Sequence, residues 1–122
     1  MSLKKLACSA CLALLASQTA AQADETHARK AFEIYKTIVE VDTSKAQGNT
    51  PRVARYLADE LIAAGFPEED VRVVPKGEFA TLIATYRGDG SAGRKPILLL
   101  GHLDVVEALA ADWERPPFTL TQ

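Results

Sequence analysis

The tripeptide His102-Leu103-Asp104 has the residue types and the spacing that metal-site chemistry requires. In extended backbone, residues i and i+2 point to the same side, so the imidazole and the carboxylate would project together while Leu103 points back towards a core. A metal-binding histidine commonly donates its other ring N–H to a carboxylate, which fixes the tautomer and orients the ring. This tripeptide can therefore supply a metal ligand and its orienting carboxylate together.

The apolar residues immediately before the tripeptide favour that interpretation. Four large apolar residues, Ile97 to Leu100, follow one another without alternation between Pro96 and Gly101. This run predicts a strand covered on both faces. In open α/β sheets, ligand sites lie beyond the carboxyl ends of the strands, where His102 and Asp104 would then stand. The alternative is coincidence, because H-x-D recurs by chance and a single histidine is more often a surface or core residue than a ligand.

The elements that would position the tripeptide begin with two amphipathic helices. The first is predicted from Thr26 to Asp42, with a stripe formed by Ala28, Ala31, Phe32, Tyr35, Ile38 and Val39. The second has Thr50 as N-cap, Pro51 at the first helical position and Gly65 as the stop, with Pro67 preventing its resumption. Its stripe consists of Val53, Leu57, Leu61 and Ala64.

Two strands and a loop follow the helices. Strands are predicted for Val71 to Val74 and for Phe79 to Tyr86, and the glycine-rich stretch from Arg87 to Gly93 predicts a turn or surface loop. The R-G-D tripeptide in that loop invites an adhesion role, but short tripeptides occur by chance and Gly-Asp-Gly is ordinary turn chemistry. The order helix–helix–strand–strand–strand indicates an α/β layered domain.

The N-terminus is predicted to be a signal peptide spanning residues 1–23. Lys4 and Lys5 precede an uncharged apolar run from Leu6 to Ala16, and Ala21-Gln22-Ala23 fits the small-x-small cleavage pattern. A transmembrane helix is the alternative, but it needs about 20 apolar residues, more than this run has. We expect an exported protein, periplasmic or secreted, whose mature chain begins at Asp24 and is not membrane-bound.

Cleavage removes both cysteines and changes the charge balance. Cys8 and Cys11 have C-x-x-C spacing, which can indicate a redox or zinc site, but here they fit better as small apolar residues of the signal segment. Loss of Lys4 and Lys5 leaves 12 basic against 16 acidic residues, a net charge of −4. Without a basic stripe, no nucleic-acid partner is predicted.

The stretch from Leu98 to Val106, together with Trp113-Glu114-Arg115-Pro116-Pro117-Phe118, resembles one family of zinc hydrolases. The family comprises aminoacylases, acetylornithine deacetylases, succinyl-diaminopimelate desuccinylases and glutamate-type carboxypeptidases. In it an apolar strand runs into G-H-x-D-V-V, and W-x-x-x-P-F follows. Two helices, the second ending in Ala64-Gly65-Phe66, are also similar to the family, so the resemblance covers essentially residues 24–122.

The resemblance implies a metal-dependent hydrolase of amide bonds, either a peptidase or a deacylase. His102 would bind one of two zinc ions, and Asp104 would be the catalytic-site carboxylate that holds the His102 ring without itself being a ligand. A zinc-activated water would attack the carbonyl of a small peptide or an N-acyl amino acid. Trp113 and Phe118 would pack around the site, and the substrate-binding residues stay unassigned.

The resemblance also implies that residues 24–122 are only the N-terminal part of a helix-flanked mixed sheet, that of a zinc-exopeptidase-like catalytic domain. The family's remaining ligands, its general base and its separate dimerisation domain would follow Gln122, so a homodimer is implied for the complete protein only. Glu107 stands where the family commonly has proline. Glu107, Asp112 and Glu114 fit solvated loop carboxylates better than a substitute base, and His27 is not expected to be a ligand.

Two alternatives to the hydrolase stay open at this point. The chain could be a truncated fragment without activity, because a single imidazole does not fix the geometry of a catalytic zinc, which usually takes three protein ligands. It could also be an exported α/β protein without enzymatic function, in which H-x-D is coincidental. Exposed sheet edge and apolar surface, with poor solubility, are expected for a truncated chain.

Overall fold

The computed structural model describes residues 25–91 and 93–121. Within these ranges the chain forms helix α1 over residues 25–39, helix α2 over Thr50–Ala63, and strands β1 (Val71–Lys76) and β2 (Phe79–Ala84). Short 3-10 turns lie at Glu68–Asp70 and Ala110–Asp112. The predicted combination of helices with strands is confirmed. The predicted signal peptide, residues 1–23, lies outside the described residues.

Helix α1 confirms the first predicted helix but ends three residues earlier, before a turn at residues 40 and 41. The chain divides between Thr37 and Ile38 into two units, and most of α1 belongs to the first. Ala28, Ala31, Phe32 and Tyr35 of the predicted stripe are exposed. None of the helices in the described ranges is long and apolar enough to cross a membrane.

Helix α2 begins and ends at the predicted places, but Thr50 does not act as the N-cap. Asn49 occupies the cap position, but its side chain makes no hydrogen bond to the first backbone N–H groups of the helix, and the helix already includes Thr50. The end is a Schellman motif, in which Gly65 N–H donates to Ile62 O at 2.9 Å and Phe66 N–H to Leu61 O at 3.1 Å. Gly65 has φ +98°, a conformation that favours glycine.

The buried face of α2 only partly coincides with the predicted apolar stripe. Val53 is buried as expected, but Ala54 and Ala58 are its other buried apolar positions, while Leu57 and Leu61 are half-buried and Ala64 is exposed. Small alanines let the helix approach the sheet closely. The resulting core is small, and its buried apolar members are Val41, Val53, Ala54, Ala58, Val71 and Ala80.

Strands β1 and β2 form an antiparallel hairpin in which Val73 lies opposite Leu82. The loop between them has two residues, Gly77 and Glu78, and the positive φ of Gly77 (+60°) suits such tight hairpin loops. Both strands confirm the sequence prediction, although β1 extends two residues further and β2 ends two residues earlier than predicted. In the described residues the sheet has these two strands only.

Asp70, which precedes β1, and Arg87, which follows β2, pair at the open end of the hairpin. Arg87 donates from Nε and Nη2 to the two Asp70 carboxylate oxygens, each at 2.6 Å, and Thr85 N–H donates to Asp70 O at 2.8 Å. The Asp70 side chain is 6% exposed. The hydrogen bonds from Arg87 lower the pKa of Asp70 by more than burial raises it.

The predicted strand at residues 97–100 does not form, and this prediction was wrong. The four side chains are 86–91% exposed, and the backbone there has no regular structure. A strand needs a neighbour for its N–H and C=O groups. No strand of the described chain pairs with this segment, so the mixed sheet and its doubly covered strand are not present in residues 25–91 and 93–121.

Candidate functional site

His102 and Asp104 lie close together, as their spacing predicts. The Nδ1 atom of His102 is 2.6 Å from the backbone carbonyl oxygen of Asp104 and 3.6 Å from its carboxylate oxygen Oδ1. The shorter contact is a hydrogen bond, whereas the longer one is outside hydrogen-bonding distance. The structure thus brings the two residues together but gives the orienting role to the main chain of Asp104 instead of its carboxylate.

The contact with the carbonyl settles which ring nitrogen carries the hydrogen in neutral His102. A carbonyl oxygen can only accept, so Nδ1 is the donor and the lone pair is on Nε2. This is the tautomer that metal-binding histidines have when their other nitrogen donates to a backbone carbonyl or carboxylate. The His102 side chain is 81% exposed, so Nε2 is open to an incoming ligand or metal ion.

The site segment, which we define as residues 97–104, is joined to the rest of the unit by an isolated parallel bridge between Ser44 and Val105. Ser44 is 2% exposed, so the bridge reaches the segment's end from a buried anchor. The bridge fixes the chain directly after Asp104. The backbone carbonyl of Asp104, which accepts the hydrogen bond from His102, is therefore one residue away from the bridge at Val105.

The loop of residues 42–49, which carries Ser44, is braced by its own polar groups. Asp42 Oδ1 accepts the Ser44 N–H at 2.9 Å, and Asn49 Nδ2 donates to Asp42 O at 2.9 Å. Gly48 adopts φ +62° where the loop turns into α2. The loop of residues 42–49 is thus held by its own hydrogen bonds, and through Ser44 it contacts the chain that follows the candidate site.

A complete metal site is not formed by the described residues. Nowhere in residues 25–91 and 93–121 do three or more His, Cys, Asp or Glu side chains come together as a metal-binding group. Glu107, Asp112 and Glu114 are exposed, and so is His27 in α1. Of the donor set that zinc prefers, the candidate site supplies one imidazole nitrogen, which fits zinc by type but not by number.

Trp113 and Phe118, predicted to pack near the site, follow the 3-10 turn Ala110–Asp112. Trp113 is 56% exposed and Phe118 is half-buried. The chain beyond them is fixed by Leu120 N–H, which donates to Glu40 Oε1 at 3.3 Å, and by a hydrogen bond from Arg115 to Thr121. This loop borders a smaller cavity of about 290 Å³.

A cleft of about 800 Å³ separates β2 from the site segment. Residues 79–82 of β2 form one wall, residues 100–104 form the other, and Lys45 and Thr50 complete the lining. The volume is within the range of small-molecule sites. Because His102 and Asp104 line this cleft, it is the concave space to which the candidate metal ligand belongs.

Lys45 and Thr50 line the cleft although no motif in the sequence marks them as site residues. Thr50 Oγ1 accepts the buried Ala80 N–H at 3.1 Å, a contact across 30 residues of chain. Lys45 directly follows Ser44, and the position of Ser44 depends on its long-range contact with Val105. Local patterns carry no signal for such contacts.

Comparison of the chain with protein-family models, with curated proteins and with solved structures returned no significant match.

Proposed function

We propose that the protein is an exported, metal-dependent hydrolase of amide bonds, a peptidase or N-acyl amino acid deacylase, in which His102 is one metal ligand. The observation that carries the proposal is the 2.6 Å hydrogen bond from His102 Nδ1 to Asp104 O, which leaves an exposed Nε2 free to bind a metal. The resemblance of residues 98–118 to the zinc hydrolases supports it.

The metal that fits an imidazole nitrogen in this context is zinc, and the resemblance implies two ions. Bound zinc would lower the pKa of a coordinated water towards about 7 and polarise the substrate carbonyl. The role of this chain's own residues is narrower. His102 donates one lone pair, and the Asp104 carbonyl holds the ring so that Nε2 keeps its direction.

The proposal requires ligands and a general base beyond those that the described residues supply. By the resemblance, the remaining ligands and the general base would come from chain that follows Gln122. That chain would also complete the zinc-exopeptidase-like sheet and allow a homodimer. For the 122-residue chain alone we expect no hydrolysis, because one imidazole does not hold a catalytic zinc. The second candidate is therefore a chain that has no catalytic activity of its own.

The decisive experiment compares two histidine variants of the complete protein. His102→Ala should lose bound zinc and amide hydrolysis, measured by metal analysis after dialysis and by turnover of a C-terminally free peptide and an N-acetyl amino acid. His27→Ala, which removes an exposed histidine of α1, is the matched control and should keep both. If His102→Ala retained the wild-type zinc content, the H-x-D tripeptide would be a coincidence.

Export makes a separate prediction that does not depend on the metal. N-terminal sequencing of the protein from the periplasm or the medium should give a chain that begins at Asp24. A chain that kept Met1 and stayed inside the cell would contradict export while leaving the metal proposal open.

A further inference from the structure

The cleft that contains His102 is lined by a cationic side chain without a partner, that of Lys45. Of the described residues that line the cleft, Lys45, His102 and Asp104 are ionisable, and most of the others are apolar: Phe79, Ala80, Leu82, Leu100 and Leu103. Lys45 is exposed and makes no hydrogen bond or ion pair with any described residue. A few polar groups on largely apolar walls fix the orientation of a ligand, and a free ammonium group favours an anionic one.

The parallel bridge between Ser44 and Val105 brings Lys45 close to the candidate metal ligand. Lys45 directly follows Ser44 and Asp104 directly precedes Val105, so both flank the same bridge. At the usual strand spacing of about 4.8 Å and rise of about 3.3 Å per residue, the Cα atoms of Lys45 and Asp104 lie roughly 8 Å apart. The long side chain of Lys45 can therefore reach a ligand that is bound next to His102.

The N-terminus of α2 reinforces the positive charge that Lys45 supplies. Thr50, the first residue of α2, also lines the cleft. The first turn of the helix has no acidic residue, and the side chain of Asn49 does not cap it. The N-terminus of a helix acts like about half a positive charge, which is uncompensated here by a nearby carboxylate of the helix. The part of the cleft beside Lys45 and Thr50 thus favours a negative group.

We propose that Lys45 binds the carboxylate of the substrate and so selects amides that lie next to a free carboxylate. This inference deepens the proposed function and rests on it for the reaction. In an N-acyl amino acid, or at the C-terminus of a peptide, the amide nitrogen and the carboxylate are attached to the same carbon atom. A cation that recognises this carboxylate must therefore lie beside the metal ligand, as Lys45 lies beside His102. Lys45 acts on binding and takes no part in the bonds that break.

The apolar walls of the cleft suit the side chain of the bound amino acid. Phe79 and Leu82 of β2 lie on one side, and Leu100 and Leu103 lie on the other. Leucine is an amino acid whose side chain is apolar and small enough for a cleft of about 800 Å³. N-acetyl-leucine therefore combines the two features that the cleft recognises, an apolar side chain and a carboxylate for Lys45.

A binding experiment with two ligands that differ in the carboxylate alone tests the role of Lys45. Calorimetry compares N-acetyl-leucine with N-acetyl-leucinamide on the complete protein carrying His102→Ala, in which no turnover disturbs the equilibrium. The carboxylate should bind about fivefold more tightly than the carboxamide, and adding Lys45→Met should bring the ratio to about one, on the scale of an exposed ion pair. Lys45→Arg keeps the charge and should keep the preference. Lys76→Met removes an exposed lysine outside the cleft and is the matched control.

Steady-state kinetics of the zinc-loaded complete protein separate substrate selection from a structural role. Lys45→Met should raise KM for N-acetyl-leucine by about fivefold, with a smaller change in kcat, and should leave the zinc content at the wild-type value. Release of acetate from N-acetyl-leucinamide should be the same in Lys45→Met and wild type. A variant that lost zinc, or that lost activity on both compounds alike, would show that Lys45 supports the structure and does not select the substrate.

Failure of this inference and failure of the proposed function give different results. If the preference for N-acetyl-leucine persisted in Lys45→Met, or if Lys76→Met abolished it equally, the role of Lys45 would be wrong even in a protein that hydrolyses amides. Equal binding of the two ligands to His102→Ala, or no binding of either, would also overturn it. A protein without zinc and without hydrolysis would contradict the proposed function, whereas the binding measurements would still decide whether Lys45 recognises a carboxylate.

Discussion

The hydroxyl of Thr50 accepts the backbone N–H of Ala80 at 3.1 Å, and both residues are buried. The first residue of α2 thereby provides the hydrogen-bond acceptor for an N–H of β2 and connects the helix to the hairpin. Thr50→Val keeps the shape of the side chain but leaves the Ala80 N–H without a partner, which costs about 1–3 kcal/mol. Urea unfolding should show this loss, whereas Thr50→Ser, which keeps the hydroxyl, should lie much closer to wild type. Equal losses in both variants would mean that packing, and not the hydrogen bond, matters.

The conformation of Gly65 makes the end of α2 sensitive to a side chain. At φ +98°, a residue with a Cβ atom is strained, so Gly65→Ala should reduce the free energy of unfolding by about 1–3 kcal/mol. Gly88 has open space around it and no positive φ, so Gly88→Ala is the control and should change little. Thermal unfolding of the two variants measures the difference. A Gly65→Ala protein as stable as Gly88→Ala would show that the helix end can relax.

The ion pair between Asp70 and Arg87 predicts a specific dependence of stability on pH. Because Arg87 depresses the pKa of folded Asp70 below the unfolded value of about 3.9, the pair contributes above that value. The contribution is lost as the pH falls through the folded pKa. Asp70→Asn should therefore unfold at lower urea than wild type at pH 7, and the difference should shrink below about pH 4. Asp59→Asn, on the exposed face of α2, should show no such difference at pH 7. A gap between Asp70→Asn and wild type that stayed constant with pH would argue against the ion pair.

The two acceptors beside His102 give different predictions for Asp104. Under the proposed function, Asp104→Asn would lower the zinc affinity by about 10–100-fold if the carboxylate oriented the ring, as loss of such supporting groups does. Because the nearer acceptor is the backbone carbonyl, which the substitution leaves in place, we expect a loss of less than about tenfold. Competition with a chelator measures it. A larger loss would show that the carboxylate moves closer when metal binds.

Local patterns were sufficient for the elements whose boundaries are set by neighbours in sequence. Pro51 and Gly65 bracket α2, and the β-branched residues from Val71 on lead into the hairpin. In the same way, the i, i+2 spacing was sufficient to predict that His102 and Asp104 lie close. It was not sufficient to tell which oxygen of Asp104 is nearer, because that depends on the backbone torsions of an irregular segment.

Residues 97–100 show where such patterns fail. An unbroken apolar run reports that a segment gains by being buried, at roughly 1.5–3 kcal/mol for each large side chain, but not that a partner is within reach. The roles of Thr50, which bonds to Ala80, and of Asp70, which pairs with Arg87, depend on contacts 30 and 17 residues apart. Contacts at these separations leave no periodic signal in the sequence.

Under the proposed function, the bridge between Ser44 and Val105, the one isolated bridge in residues 25–91 and 93–121, also has a thermodynamic consequence for metal affinity. Because residues 97–100 make no backbone hydrogen bond to any described residue, their amides should exchange their hydrogens almost as fast as those of a free peptide, unlike the amides of α2. A metal ion that binds His102 must then order this segment, which weakens its apparent affinity. Whatever orders residues 97–104 beforehand removes that entropic cost, so ordering of the segment and metal binding would be linked equilibria, each strengthening the other.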